Sequence, residues 1–235
     1  MFGGIVALVV VANKWLAREQ LKNVRVIGQV VLDTTEVLKQ VALGDTVVLR
    51  ELDLRELEER ITSHPFIRSA AAYYGGDGQL VLEIEERSPV AATVMDGLPV
   101  YLDVKGMPLP FRFGLAAPDV PVLDGILSDS ADVIDSLRAV EAVAVATTLQ
   151  EYGDAVYRRV AAIRRESSGE YTLVLADGAV SVRAGFPEEI GPRLYKLEAF
   201  LRNVLASEGA RNAEVIDIRW DGQVVVRWRR NSSQA

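Results

Sequence analysis

The sequence predicts an α+β fold: an apolar N-terminal segment, a small strand–helix–helix–strand–strand unit, then a mostly antiparallel β-domain with flanking helices. Three observations carry that expectation. Asp33 with Glu36, and Asp53 with Glu56, each show capping-box spacing ahead of an apolar run of helical period. Residues 79–86 alternate in hydropathy as a half-buried strand does. Asp-Gly dipeptides at 96–97, 177–178 and 221–222 punctuate the second half where hairpins would turn.

Composition bounds the function classes. The 235 residues are 49% hydrophobic and 25% charged, which suits one or two globular domains. A net charge of −7 argues against binding driven by nucleic-acid phosphates. There is no cysteine, which excludes disulfides, thiolate catalysis and iron–sulfur or zinc–thiolate centres. His64 is the sole histidine, so neither a metal centre nor a histidine-based triad is expected.

Phe2 to Ala12 is uncharged and apolar, and Trp15-Leu16-Ala17 extends it past Asn13 and Lys14. A spanning helix takes about 20 apolar residues, so the run is short. No basic segment precedes it and no small-x-small cleavage site follows. Lys14 and Arg18 lie after the run, the wrong side for an N-terminus-in anchor. A membrane anchor over 1–18 that begins partway through its span, a cleaved signal and a buried helix all remain open.

Val24–Gly28 reads as a strand ending on glycine. Val37, Leu38 and Val41 give the face of the first capped helix, which Gly44-Asp45 breaks. Leu54, Leu57 and Ile61 give the second, which ends at His64-Pro65 because the residue before proline avoids helical geometry. Strands at Ile67–Tyr74 and Gln79–Glu86 flank Gly75-Gly76-Asp77-Gly78. Ser88-Pro89 marks a joint.

Beyond it, strands are expected at 90–95 and 98–103, then an extended proline-rich loop over 108–121. Ser128 or Asp129 would cap a helix with Val133, Leu137, Val140 and Ala144 on its face. Strands follow at about 155–165, 171–176 and 179–183. Ile190, Leu194, Leu197, Leu201 and Val204 mark a long amphipathic helix. A last hairpin runs Val215–Trp220 and Gln223–Trp228.

Few residues suggest chemistry. His64 before Pro65 reads as a loop residue. Glu83 and Glu85 share a strand face and would suit paired carboxylates, but a solvated face explains them, with Glu86 and Arg87. Glu188-Glu189 complement a helix dipole. Arg164-Arg165 and Arg229-Arg230 are too short for a nucleic-acid patch. No phosphate loop, dinucleotide fingerprint or nucleophile elbow is present. No enzyme, cofactor or small-molecule substrate is expected.

The last hairpin is the candidate site. Val224, Val226 and Trp228 would share one face, and Gln223, Val225 and Arg227 the other. A terminal strand with large side chains accepts another chain by β-augmentation, and tryptophan and arginine are enriched at hot spots. Packing of Trp220 and Trp228 inward on the neighbouring helix is the equal alternative.

Taken in order, Val26-Ile27-Gly28, Leu52-Asp53-Leu54, His64-Pro65-Phe66-Ile67 and Glu85-Glu86-Arg87-Ser88-Pro89-Val90-Ala91 resemble a POTRA domain of the FtsQ/DivIB type. Gly97-Leu98-Pro99-Val100-Tyr101-Leu102-Asp103 with Lys105-Gly106, Lys196-Leu197 and Ile216-Asp217-Ile218-Arg219-Trp220 resemble that family's β-domain. The resemblance implies a POTRA-type domain over 19–87, a β-domain over 88–228 and a polar tail over 229–235. It implies a non-catalytic, single-pass scaffold of the bacterial division machinery, mostly outside the cytoplasmic membrane, at the septum. Such a scaffold links early and late division proteins and helps control septal peptidoglycan synthesis. The POTRA domain would support recruitment, and the C-terminal strands would bind an FtsB/FtsL coiled-coil pair partly by strand addition. Arg219, Trp220, Gly222, Gln223, Val224, Val226 and Trp228 fall on that partner-binding region. A POTRA-containing binding module of another envelope assembly or transport system is the alternative, although the second half does not read as a transmembrane barrel. An envelope enzyme comes third, for want of a nucleophile and base.

Overall fold

A computed structural model describes residues 20–44, 47–111, 117–129, 131–204 and 212–229. The expected anchor over 1–18 lies outside the described residues, as does the tail from Arg230 on. Among the described residues no helix is long and apolar enough to cross a membrane. The chain divides into two compact units between Ser88 and Pro89.

The first unit contains β1 (Asn23–Ile27), α1 (Thr34–Val41), a 3-10 turn (Leu49–Glu51), α2 (Leu54–Thr62), β2 (Ile67–Tyr74) and β3 (Gln79–Glu86). Both helices start where the aspartates predict. Asp33 accepts from Thr35 N–H (3.1 Å), and Asp53 from Arg55 and Glu56 N–H (3.0 and 3.1 Å), satisfying donors that the first turn leaves open. The sheet order is β1-β3-β2, with β1 parallel and β2 antiparallel to the central β3. Val37, Val41, Leu57 and Ile61 from the helices bury against Ile67, Leu80, Leu82 and Ile84 of the sheet. Gly28 is required at its position: its φ is +91°, and a Cβ there would meet Ile84 O at 2.1 Å.

The second unit contains β4 (Pro89–Met95), β5 (Leu98–Asp103), β6 (Pro108–Leu109), β7 (Val122–Asp124), β8 (Leu127–Ser128), β9 (Ala131–Ile134), α3 (Ser136–Tyr152), α4 (Asp154–Tyr157), β10 (Val160–Arg165), β11 (Tyr171–Leu175), β12 (Ser181–Gly185), α5 (Pro187–Val204), β13 (Ala213–Asp217) and β14 (Val225–Trp228). Among the described residues nine strands form one sheet in the order β14-β13-β12-β11-β10-β7-β4-β5-β6, and β8 pairs with β9 separately. Antiparallel pairs predominate, but β4–β7, β7–β10 and β12–β13 are parallel. The last of these is dictated by α5, a crossover that returns the chain to the same end of the sheet.

Several local expectations are corrected. The helix after residue 130 is capped by Asp135, which accepts from Leu137 and Arg138 N–H (3.0 and 3.1 Å); Asp129 instead pairs with the Arg138 guanidinium. The shifted start rotates the buried face onto Ala139, Ala142, Val143, Ala146 and Leu149, whose small side chains let α3 approach the sheet and α5. Leu137, on the face expected to be buried, is 84% exposed, and Val133, Val140 and Ala144 are exposed with it. The strand expected from 155 begins only at Val160, because Gly153 (φ +130°) starts the short α4. The loop expected over 108–121 contains β6 at its start.

Candidate functional site

The candidate residues gather at one edge of the nine-stranded sheet. Among the described residues, strand β14 has β13 on one side and no strand on the other. Val226 lies in it opposite Ile216, and Trp228 opposite Ala213. The remaining candidates, Arg219, Trp220, Gly222, Gln223 and Val224, occupy the loop 218–224 between the two strands.

That loop corrects the expected hairpin, which placed Val215–Trp220 in one strand and turned tightly at Asp221-Gly222. Pairing stops at Asp217–Val225, because tertiary partners intercept the backbone beyond it. The Asp217 carboxylate accepts from Arg219 N–H (3.1 Å). The Lys196 ammonium, carried by α5, donates to Ile218 O (2.6 Å) and Trp220 O (2.8 Å). Those carbonyls are therefore withdrawn from any ladder with β14. Lys196 is only 7% exposed, an uncommon location for an ammonium. Gly222, at φ +70°, supplies the left-handed turn.

Arg219 is fully engaged within the chain. Its guanidinium donates to Asp217 through Nε (3.0 Å) and a terminal nitrogen (2.7 Å), and to both Glu170 oxygens (3.0 and 3.1 Å). These bonds hold its pKa above the ordinary arginine value, Asp217 first and Glu170 second. Burial alone would raise the Asp217 carboxyl; the hydrogen bonds and charge of Arg219, with Arg183 beyond, outweigh it and keep Asp217 below the usual range.

The side chains sort by environment. Val224 and Val226 pack against the core. Trp220 and Trp228 are 54% and 46% exposed, so inward packing of the two rings is not what the sheet edge adopts. Val225 is exposed beside them, and Arg227 pairs with Glu214 across the ladder (2.9 and 3.1 Å). A shallow groove of about 290 Å³ runs between α5 and the loop, lined by Tyr195, Ala199, Phe200, Gln223 and Val224. The arrangement offers an open backbone edge, two aromatic surfaces and an adjoining apolar channel, with no nucleophile and base among its members.

Sequence reasoning missed the roles of Lys196 and Glu170. A lysine beside the apolar face of a long helix was a weak signal for the first. The second lies 49 residues from its partner and gave none.

The other polar candidates serve local structure. His64 Nδ1 accepts from Phe66 N–H (3.3 Å) at the corner after α2. Glu83 is exposed, and Glu85 accepts from Arg68 and Ser69. Glu86, expected on a solvated face, instead accepts from three loop amides, Val30, Val31 and Leu32 (2.9, 2.8 and 2.9 Å). Among the described residues no group of three histidine, aspartate or glutamate side chains is placed to hold a metal.

Residues 88–226 match the family described as FtsQ/DivIB, C-terminal related. The match contains the whole 218–224 loop and ends two residues short of Trp228. A protein of Rhodothermus marinus named cell division protein FtsQ is 30% identical over 229 residues, spanning 95% of this chain and 83% of its own length. A protein of Salinibacter ruber with the same name is 30% identical over 246 residues, spanning 97% of this chain and 90% of its own length.

Proposed function

The chain belongs to the FtsQ/DivIB family, and from that premise we propose that it is a non-catalytic, membrane-anchored scaffold of bacterial cell division. It links early and late division proteins at the septum and helps control septal peptidoglycan synthesis. In this reading residues 1–18 anchor the chain in the cytoplasmic membrane and the rest lies outside it. Residues 19–87 act as a POTRA-type recruitment domain. The β-domain, 88–228, binds an FtsB/FtsL-type coiled-coil pair.

One observation carries the binding role: strand β14 stands at the sheet edge with Trp220 and Trp228 turned half outward beside it. An open edge supplies main-chain donors and acceptors for an added strand, and exposed tryptophans supply large apolar area at small entropic cost. Gln223 and Val224 then border the adjoining groove, while Arg219 and Gly222 shape the loop.

A fluorescent fusion in dividing cells of the host tests the division role. A band at midcell is expected. An even peripheral distribution through the cycle would replace this reading with a general envelope-assembly module, and a diffuse cytoplasmic signal from a functional fusion would overturn both.

A further inference from the structure

We propose that Lys196 is a positioning residue for this edge: its buried ammonium holds the 218–224 loop away from β14 and so sets Trp220 outward. The proposal rests on the reading of the edge as a docking surface.

The geometry asks for an explanation beyond packing. An ammonium loses hydration when it leaves water, so a helix position this buried is ordinarily filled more cheaply by leucine or methionine. Lys196 recovers part of that cost on two carbonyls of a single loop, Ile218 O and Trp220 O, at 2.6 and 2.8 Å. Both stand just past the point where β13 stops pairing with β14. The Ile218 amide still continues the parallel ladder, donating to Arg183 O (3.1 Å), so the backbone is held on the β12 side while its carbonyl is turned to α5. One side chain thus fixes two alternate carbonyls and, with them, the direction of Arg219 between them and of Trp220, which bears the second. Arg219 is directed to Glu170 and Asp217, and Trp220 to solvent. Without the ammonium, Asp221-Gly222 favours a tight two-residue turn, which would extend the β13–β14 ladder and draw residues 218–220 into it.

The absence of cysteine permits a direct test. Lys196→Cys gives a single thiol; alkylation with 2-bromoethylamine in denaturant, then refolding, restores an ammonium at nearly the same reach. Lys196→Met and unmodified Lys196→Cys should retain the circular dichroism of the fold. Amide exchange in 218–224 should change by about tenfold relative to β12 and α5. Trp220 fluorescence anisotropy, read with Trp15 and Trp228 replaced by phenylalanine, should shift. Affinity for the purified extracytoplasmic FtsB/FtsL-type pair should fall by about tenfold, a ratio a binding isotherm resolves easily. Alkylation should restore all three. If Lys196→Met does not fold, Lys196→Gln, which keeps a donor for one carbonyl, is read the same way and should be intermediate. Unchanged loop exchange and anisotropy would overturn the proposal. So would an alkylated protein that regains stability without returning loop exchange to the wild-type rate. If the wild-type chain fails to bind the pair while the loop still responds, the docking reading falls and Lys196 is only a loop clamp.

Discussion

The Arg219 guanidinium rests on both oxygens of the Glu170 carboxylate, at 3.0 and 3.1 Å, joining the start of β11 to the loop beyond β13. With Asp217 on its other edge, Arg219 braces the loop and is not a free cation offered to a partner. Its place in the candidate surface is therefore structural support for Trp220, the next residue along.

Replacing that brace should cost stability before it costs contacts. Arg219→Ala leaves two carboxylates facing each other and is expected to destabilise the second unit by ~2 kcal/mol, the range for charged hydrogen bonds that are partly shielded from water. Glu170→Gln should cost less, ~1 kcal/mol, since one acceptor remains. Urea unfolding of the two variants beside wild type checks the order.

The Asp217 carboxyl lies below its ordinary value when folded. A group depressed in the folded state adds stability above its unfolded pKa, here close to 3.8, and loses it as pH falls through the lower folded value. The melting temperature should therefore drop below about pH 4 in wild type, and Asp217→Asn should remove part of that acid-side slope. Melts between pH 7 and pH 2 test this; parallel profiles for the two proteins would contradict it.

Outward and inward side chains of the edge should separate in two assays. Trp220→Ala and Trp228→Ala are expected to weaken binding of the FtsB/FtsL-type pair by ~2 kcal/mol each, with little change in unfolding free energy. Val224→Ala, whose side chain packs on the core as well as bordering the groove, should cost ~1 kcal/mol of stability. Titration calorimetry and urea unfolding of all three provide the comparison.

In the first unit, Glu86 ties the end of β3 to residues 30–32 through three amide donors. Glu86→Ala should speed amide exchange at Val30–Leu32 selectively and destabilise that unit by about 1–2 kcal/mol, partial exposure moderating the loss. Glu86→Gln, which keeps one oxygen acceptor, should fall between.

What could be read in the sequence was local. The order of the first unit followed from Asp33 and Asp53 as caps, the Pro65 stop and the alternation through Leu80, Leu82 and Ile84. The candidate region was chosen from the large side chains of the Trp220–Trp228 stretch, and the structure brings its members to one sheet edge. Its detailed shape was not legible. The Asp221-Gly222 signal predicts strands paired right up to the turn, whereas pairing stops at Asp217–Val225 and the loop beyond is held by Lys196, Asp217 and Glu170 from elsewhere in the unit. Glu86 looks like one more wet carboxylate until residues 30–32 are folded beside it. Strands as short as β7 and β8 carry too little periodicity to detect, and an alanine-rich face on α3 looks no more buried than the valines and leucine opposite.

Strand addition at the edge of β14 stands or falls on Val226→Pro. Just past the end of β14, Arg229 N–H donates to Asn212 O, the residue before β13, and alternation back along β14 turns the Val226 N–H outward. Proline there removes one outward donor, stays apolar and is tolerable at an edge. Affinity for the FtsB/FtsL-type pair would be measured for wild type and Val226→Pro, with folding checked by urea unfolding. A folded variant that binds about tenfold more weakly, a loss of ~1.4 kcal/mol, or worse is expected. A folded variant that binds as tightly as wild type would contradict strand addition at this edge, and global unfolding would show that β14 belongs to the core.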